Sequence, residues 1–486
     1  MSTPRDGSDR RPNIVLILTD DHAAHAISSY GSVVNTTPRI DEIAARGVRF
    51  ASCFAANSLC SPSRASILTG THSHINGVTT LVTPLDASQP TFVSQLRDAG
   101  YRTAIVGKWH MGEGPGHDPE GFDYWDVLID QGEYHDPRFL SADGLRIEPG
   151  YATDLITDLA LRWLEGLEGD DPWCVLIWHK APHRPWQPDA AHAQMYSDPI
   201  PLPRTWDDDL ATRSASARRA AMRIAEHLNA EDLKQDPPAG LDHEATALWK
   251  YQRYMEDYLR CVASVDDNVG RVVDWLRARG DFDDTVLMYA SDQGFFLGEH
   301  GWFDKRFMYE ESLRMPLLLS YPRRVAPASV HEGIVTNVDF ARSILELAGV
   351  EPASRMQGRS FAGDLTGGEA EAPAEGMYYR YWEHDDVFHK APAHYGYRTE
   401  THKLIYFYND GLGLPGTGPF TYAGEWELYD LVADPDEVRN VAHDPAYRAV
   451  RDELELRMWH EQARLGDRPH ASQRVPAGVE VSSVRR

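Results

Sequence analysis

Short unbroken apolar runs recur along the chain, each running into charged residues, and they read as buried parallel strands. "NIVLILT", Asn13 to Thr19, ends in Asp20 and Asp21, and the run from Val286 to Ala290 ends in Asp292. "WCVLIW" leads into His179 to His183, and "YRTAIVGKWH" ends in Lys108 and His110. Between these runs the apolar period changes to that of helices. The clearest case is "YQRYMEDYLRCVASVDDNVGRVVDWL", with apolar residues at 251, 254, 255, 258, 262, 265, 269, 272, 273 and 276 on one face. Strands alternating with helices predict an α/β sheet with helices on both sides. Ligands of such sheets bind outside the carboxyl ends of the strands. Four strand ends here carry acids, a lysine or histidines, which predicts one composite polar site.

From Ser360 to Glu375 the composition turns small and acidic, as in a linker or surface loop. Beyond it, "MYYRYW", "YGYRTETHKLIYFY" and "WELYDL" are short aromatic and β-branched runs, and Asp444 to Gly466 reads as a helix. The expected division is an α/β catalytic domain over 1–375 and a smaller α+β domain with a short antiparallel sheet over 376–466. A polar tail over 467–486 is expected to be disordered. No solenoid-type repeat is visible.

A length of 486 residues and a 42% hydrophobic fraction support a large core. The net charge of -26 argues against a broad nucleic-acid or anionic-membrane surface. An anionic substrate would have to be drawn by a local pocket against the global field, which favours a small anion over a long polyanion. The four cysteines, Cys53, Cys60, Cys174 and Cys261, are too few for a disulfide scaffold and lack zinc spacing. No secretion signal and no run of membrane-spanning length is seen, so the expected location is the cytoplasm.

Asp20, Asp21 and Asp292 would repel one another at a shared site unless a cation neutralised them. An oxygen-only donor set, to which Gln293 adds an amide, suits calcium or magnesium. Taken singly, an aspartate after a strand more simply caps a helix or turns the chain; the doublet with Asp292–Gln293 favours a metal. Arg64, Lys108, His110, His183 and Lys305 could surround such an ion. A cation ringed by positive donors is what a tetrahedral oxyanion needs as charge grows on its leaving oxygen, so sulfate or phosphate ester hydrolysis is the natural class. Two prolines stiffen the backbone around His183 in "HKAPHRPW". His22, His25, His72 and His74 lack such support and read as surface or packing residues.

A nucleophile is then required, and Cys60, in "NSLCSPSRASILTG", has the setting for one. "CSPSR" resembles the C-x-P-x-R signature of the formylglycine-dependent sulfatases, within the alkaline-phosphatase-like superfamily. "NIVLILTDDH", "GKWHMG", "HKAPHRPW" and "SDQGFFLGEHGWFDKRFMYEESLRMPLL" resemble sulfatase segments in sulfatase order. The resemblance implies a large mixed, mostly parallel sheet flanked by helices. It implies oxidation of Cys60 to formylglycine by a generating enzyme that reads Pro62 and Arg64, and hydration of the aldehyde to a diol. Asp20, Asp21, Asp292 and Gln293, with modified Cys60, would hold a divalent ion, calcium or alternatively magnesium. Many members carry asparagine where Gln293 stands; the longer amide still offers an oxygen. Arg64 would orient the diol, Lys108, His183 and Lys305 would contact sulfate, His183 or Lys305 would protonate the departing alcohol, and His110 would act as base.

In that scheme one diol oxygen attacks sulfur, and deprotonation of the second hydroxyl expels sulfate and restores the aldehyde. Serine could form the ester but not eliminate it. The segments look most like carbohydrate sulfatases similar to N-acetylglucosamine-6-sulfatases. That places His394 and Arg398 as candidates for gripping a sugar, or equally as strand residues of a small sheet; Trp302 and Trp426 could stack on a sugar ring, although aromatics in a large enzyme are more often core. The alternatives are an aryl sulfatase, a phosphonate or phosphate ester hydrolase on the same scaffold, and a non-catalytic anion binder with an unmodified cysteine.

Overall fold

The computed structural model describes residues 10–473 and residue 475. Strands in the first half are β1 (Asn13–Thr19), β2 (Val48–Phe54), β3 (Arg102–Lys108), β4 (Tyr124–Leu128), β5 (Arg138–Ser141), β6 (Gly144–Ile147) and β7 (Trp173–Trp178). Then come β8 (Thr285–Ser291), β9 (Phe296–Leu297), β10 (Phe303–Asp304), β11 (Leu317–Ser320) and β12 (Ser329–Thr336). The last four are β13 (Met377–Tyr381), β14 (His394–Arg398), β15 (His402–Phe407) and β16 (Glu425–Asp430).

Ten strands form one sheet in the order β12-β2-β11-β8-β1-β7-β3-β4-β5-β6. Its centre, β8-β1-β7-β3-β4, is parallel, while β11, β5 and β6 run antiparallel to their neighbours. The four acid-, lysine- or histidine-ended runs are therefore four adjacent strands. Leu18 pairs with Ala290 and Thr19 with Ser291, so Asp20 and Asp292 leave the sheet side by side.

Alternation along β1 divides the core. Val15 and Ile17 face the helices Ala152–Glu165 and His243–Arg279, while Ile14, Leu16 and Leu18 face the helices Cys60–Thr69, Phe92–Asp98 and Asp339–Leu347. All ten apolar positions read from the 251–276 pattern are buried. That helix begins earlier than its apolar stripe, at a cap where the Asp242 side chain accepts the Ala245 N–H, and stops at Gly280 with φ +77°.

The sheet β13-β14-β15-β16 is antiparallel. The helix Arg448–Leu465 covers one face, where Leu454, Met458 and Trp459 meet Tyr395 and Leu404. Its other face packs Tyr379, Ile405, Phe407 and Tyr429 against Phe296, Trp302, Phe307 and Tyr309. The expectation of a disordered tail from 467 needs correction over 467–473. Asp467 is buried and accepts hydrogen bonds from the Tyr378 hydroxyl (2.6 Å) and Arg380 Nη1 (2.6 Å), and the His470 N–H donates to the Tyr395 hydroxyl (2.9 Å). A buried guanidinium needed a carboxylate, and the tail supplies it. Residues 474 and 476–486 of that expectation lie outside the described residues. No helix among the described residues is long and apolar enough to cross a membrane.

Gly107 sits in β3 one residue before Lys108, with φ +108°, and a Cβ there would lie 2.0 Å from the Trp178 carbonyl oxygen. Gly107→Ala should therefore destabilise the fold by about 2–4 kcal/mol in denaturant titrations. Gly166→Ala, at φ -80° with its nearest neighbour 3.5 Å away, should be neutral or stabilising by up to about 1 kcal/mol.

Candidate active site

Asp20 and Asp21 follow β1, and Asp292 follows β8. Asp21 adopts φ 68°, which turns the chain at the strand end, and its N–H donates to Asp292 Oδ1 at 3.3 Å. One oxygen from each of the three carboxylates lies within 4.8 Å of the others. All three are fully buried, as is Gln293.

Cys60 opens the helix Cys60–Thr69. Pro62 stands in the first turn, where a missing N–H costs no hydrogen bond. The Ser63 N–H closes that turn on the Leu59 carbonyl (2.9 Å), and the Ser63 hydroxyl donates to the Asp292 backbone carbonyl. The positive end of the helix thus points its first side chain at the carboxylates. Cys60 Sγ lies 3.1 Å from Asp20 Oδ1 and 3.8 Å from Gln293 Nε2. Burial, with Asp20 beside it, pushes the Cys60 thiol far above its ordinary range. Without a cation beside it, an unmodified Cys60 stays a neutral thiol.

Cations face the acids one by one. Arg64, four residues along the same helix, donates from Nε to Asp292 Oδ2 (2.9 Å) and from Nη1 to the Lys108 carbonyl (2.8 Å), with Nη2 3.5 Å from Asp20 Oδ2. Its guanidinium lies over the Trp178 ring. Lys108 Nζ pairs with Asp20 Oδ2 and with Gln131 Oε1 (2.5 Å). Lys305 Nζ donates to Asp21 Oδ2 (2.7 Å), and His183 Nε2 is 3.8 Å from the same oxygen. His183 Nδ1 is 2.7 Å from the Arg184 carbonyl, which assigns the ring proton to Nδ1 and leaves the Nε2 lone pair toward the acids.

These charges set the proton affinities. Burial alone would raise the Asp20 carboxyl, but Lys108, Arg64 and Lys305 outweigh it and hold Asp20 well below its usual range. Asp292 is pushed up to about 7 by burial and by Asp20, against Arg64. Asp21 rises to about 6 through burial and through Asp20 and Asp304, against Lys305. Burial and Lys108 lower His110 to about 4.

Cys60, His183 and Lys305 line a cavity of about 630 Å³. His110 lies beside it: the Ser61 hydroxyl donates to its carbonyl (2.6 Å), and its Nε2 is 3.5 Å from Asp130. The structure therefore brings together ten of the residues selected from sequence: Asp20, Asp21, Asp292, Gln293, Cys60, Arg64, Lys108, His183, Lys305 and, at the margin, His110.

The two sugar-gripping candidates are not among them. His394 is fully buried among Phe307, Tyr379, Tyr381 and Phe407, and its Nδ1 is 2.7 Å from the Pro392 carbonyl. With no face toward the cavity, the role expected of it does not stand. Arg398 forms a two-pronged pair with Glu310 (2.8 and 3.0 Å) and covers Phe54, outside the cavity lining. Trp302 belongs to the core, and Trp426 packs on Tyr406. The structure takes the small-sheet alternative for β14 and the core alternative for the tryptophans, since aromatic and basic types serve both a sheet and a cleft. The histidines set aside lie elsewhere: His22 Nδ1 is 2.6 Å from the Tyr289 hydroxyl, His25 is paired with Glu299, and His72 and His74 stack on each other.

Sequence reasoning missed the upper wall. Arg184 pairs with Asp232, and its Nη1 lies 3.3 Å from His389 Nε2. His389 reaches Asp304 (3.3 Å) and Asp386 (3.0 Å), and Arg306 reaches Glu383 (3.0 Å). Burial would raise Asp304, but His389, Lys305 and Arg306 outweigh it and hold it well below the usual carboxylate range. Arg306, directly after Lys305, could have been flagged by adjacency; Gln131 and His389 carried no pattern.

The donor set fits a hard divalent ion. Three carboxylates and an amide converge with no sulfur donor required, and Gln293 Oε1 is buried without a hydrogen-bond partner among the described residues. Its Nε2 donates to Asp21 Oδ1 (2.6 Å); turned over, the amide would set its oxygen beside that carboxylate oxygen, an orientation that a cation shared by the two acceptors would favour.

A floor combining oxygen donors for a cation with fixed positive groups for an anion defines a hydrolase of anionic esters. The chain belongs to the sulfatase family, the sulfuric ester hydrolases of alkaline-phosphatase-like fold: residues 12–350 match the sulfatase family. Residues 298–464 match the C-terminal region of N-sulphoglucosamine sulphohydrolase. The chain is 40% identical to the N-acetylglucosamine-6-O-sulfatase of Bacteroides thetaiotaomicron over 96% of its own length and 89% of that protein. A solved structure of a protein in complex with its substrate D-glucosamine-2-N,6-O-disulfate is 39% identical, with a TM-score of 0.85 over 94% of this chain and 98% of that one. The phosphonate monoester hydrolase from Silicibacter pomeroyi shares the fold, with a TM-score of 0.74 at 22% identity over 93% of this chain and 96% of that one.

Without a cation, the raised Asp21 and Asp292 carboxyls favour their protonated forms in the folded protein. That stabilisation is present below the unfolded value of 3.8 and is lost as pH rises through about 6 to 7. A bound cation reverses the preference. Added Ca²⁺ should therefore raise Tm more at about pH 8 than at about pH 5 in thermal-shift assays; an equal or larger gain at the lower pH would contradict the assignment.

Proposed function

We propose that the chain hydrolyses the 6-O-sulfate ester of an N-acetylglucosamine or related glucosamine residue, with Cys60 as formylglycine and a calcium ion held by Asp20, Asp21, Asp292 and Gln293. The observation that carries this reading is the position of Cys60. It heads a helix, touches Asp20, is flanked by Arg64 and faces the cavity shared with His183 and Lys305. The 40% identical relative named for this activity supports the sugar. The C-x-P-x-R stretch formed by Cys60, Pro62 and Arg64 supports modification by a formylglycine-generating enzyme that reads this segment. Cys53, Cys174 and Cys261, the cysteines other than residue 60, form no disulfide, which fits the cytoplasm as the inferred compartment.

The bound ion would supply Lewis-acid stabilisation of oxygen charge at the reacting centre. The chain's own groups do the rest. Lys108 and Lys305 carry fixed positive charge to the sulfate oxygens, exchanging carboxylate partners for ester oxygens as the substrate enters. Arg64 remains locked between Asp292 and the Lys108 carbonyl, so it orients residue 60 without leaving its pairs. His183 is the proton carrier for the departing alcohol: burial and Lys108 keep it neutral, and an ester anion beside Nε2 favours the extra proton. His110, held near neutrality of charge by burial and Lys108, is suited to accept a proton behind residue 60. Arg184, Arg306 and His389 offer hydrogen bonds to sugar hydroxyls above this floor.

Desalted, calcium-reloaded enzyme should turn over N-acetylglucosamine 6-sulfate faster than an aryl sulfate or a matched phosphate ester. The peptide spanning Cys60 should show the mass deficit of a thiol replaced by an aldehyde. Cys60→Ala should lower kcat at least about 10³-fold. Preference for the aryl or phosphate ester, or an unmodified active thiol, would overturn the proposal.

A further inference from the structure

The catalytic cavity changes character from floor to mouth. Its floor holds Cys60, His183 and Lys305, whereas Val82, Val387 and Phe388 belong to the same lining at the rim. Val387 and Phe388 are each 80% exposed, and Val82 is 60% exposed. Three separate chain segments meet there, since a Cβ on Gly416 would lie 3.0 Å from Val82.

The loop that carries the apolar pair is tied down at its base. Asp386 Oδ1 accepts the N–H groups of Phe388 (3.0 Å) and His389 (2.9 Å), and the Asp385 N–H donates to the Ala391 carbonyl (2.8 Å). The Ala221 N–H anchors the His389 carbonyl from another segment (2.5 Å). His389, next to Phe388, is itself part of the charged wall through Asp304 and Asp386. Two large apolar side chains are thus held out in water, in register with a site they do not help to fold. Leaving them exposed forgoes the burial a core position would give.

A sulfated residue seated with its ester at Cys60 directs the rest of the molecule toward this rim. We propose that Val387 and Phe388 form a subsite for a second pyranose ring, glycosidically linked to the sulfated residue, whose apolar C–H face lies on the Phe388 ring. The preferred substrate is then the end of an oligosaccharide rather than a free monosaccharide. This deepens the sulfatase reading and rests on it.

Kinetics on two substrates test it: N-acetylglucosamine 6-sulfate, and a disaccharide carrying the same residue at its non-reducing end. Phe388→Ala should lower kcat/KM for the disaccharide about 3- to 10-fold, mainly through KM, and leave the monosaccharide within about 2-fold. Val387→Ser should act in the same direction, and Phe388→Tyr should restore the disaccharide preference. Equal losses on both substrates would mark a merely structural role, and no loss on either would mark an idle rim; both overturn the proposal. Calorimetric binding of the disaccharide to Cys60→Ala and to the double variant Cys60→Ala, Phe388→Ala reads the subsite without turnover, and equal affinities overturn it. Absence of turnover of either ester by the unchanged enzyme would count against the sulfatase reading itself and leaves the calorimetric comparison to decide the subsite.

Discussion

Charge compensation of three buried aspartates at the ends of two adjacent strands is the constraint on which the rest depends. Asp20, Asp21 and Asp292 have no solvent to dilute their repulsion. Each meets a cation: Lys108 and Arg64 at Asp20, Lys305 at Asp21, Arg64 at Asp292. Removing one partner of a buried pair costs about 3–5 kcal/mol, because the other charge is left uncompensated. The parallel register of β1 and β8 and the helix at Cys60 are therefore fixed to the chemistry as well as to the core. Three acids against Arg64, Lys108 and Lys305 balance, so a divalent ion leaves a surplus that an anionic ester and an ionised oxygen on residue 60 would neutralise.

Much of this was legible in the chain because strand ends advertise themselves. A run such as "NIVLILT", seven residues long and rich in β-branched types, suits a buried strand, and charged residues directly after such a strand leave the sheet at its carboxyl edge. The long amphipathic helix was equally plain, since every apolar position of its stripe is buried. What the pattern left open was strand order. Nothing in the apolar runs says that β8, β1, β7 and β3 are neighbours, although the site exists only because they are.

The upper wall and the C-terminal sheet were harder for a different reason. His394 and His389 are the same residue type five positions apart, yet one is core and the other touches Asp304 across the cleft. Their fates are decided by the tertiary packing of β14 against Phe307, which carries no local period. Asp467 shows the converse: a polar residue in a polar segment is buried because Arg380, at 6% exposure, requires a counter-charge. Composition reads solvent preference, and here a single ion pair overrides it.

The central claim is that one hard cation sits among the strand-end acids beside a modified residue 60. Anomalous diffraction from calcium-loaded crystals tests it most directly. A single peak is expected between the carboxylates of Asp20, Asp21 and Asp292 and the Gln293 amide oxygen, adjoining a side chain at position 60 that ends in oxygen. A peak elsewhere, or a sulfur at position 60 with the acids still paired only to Lys108, Lys305 and Arg64, would contradict it.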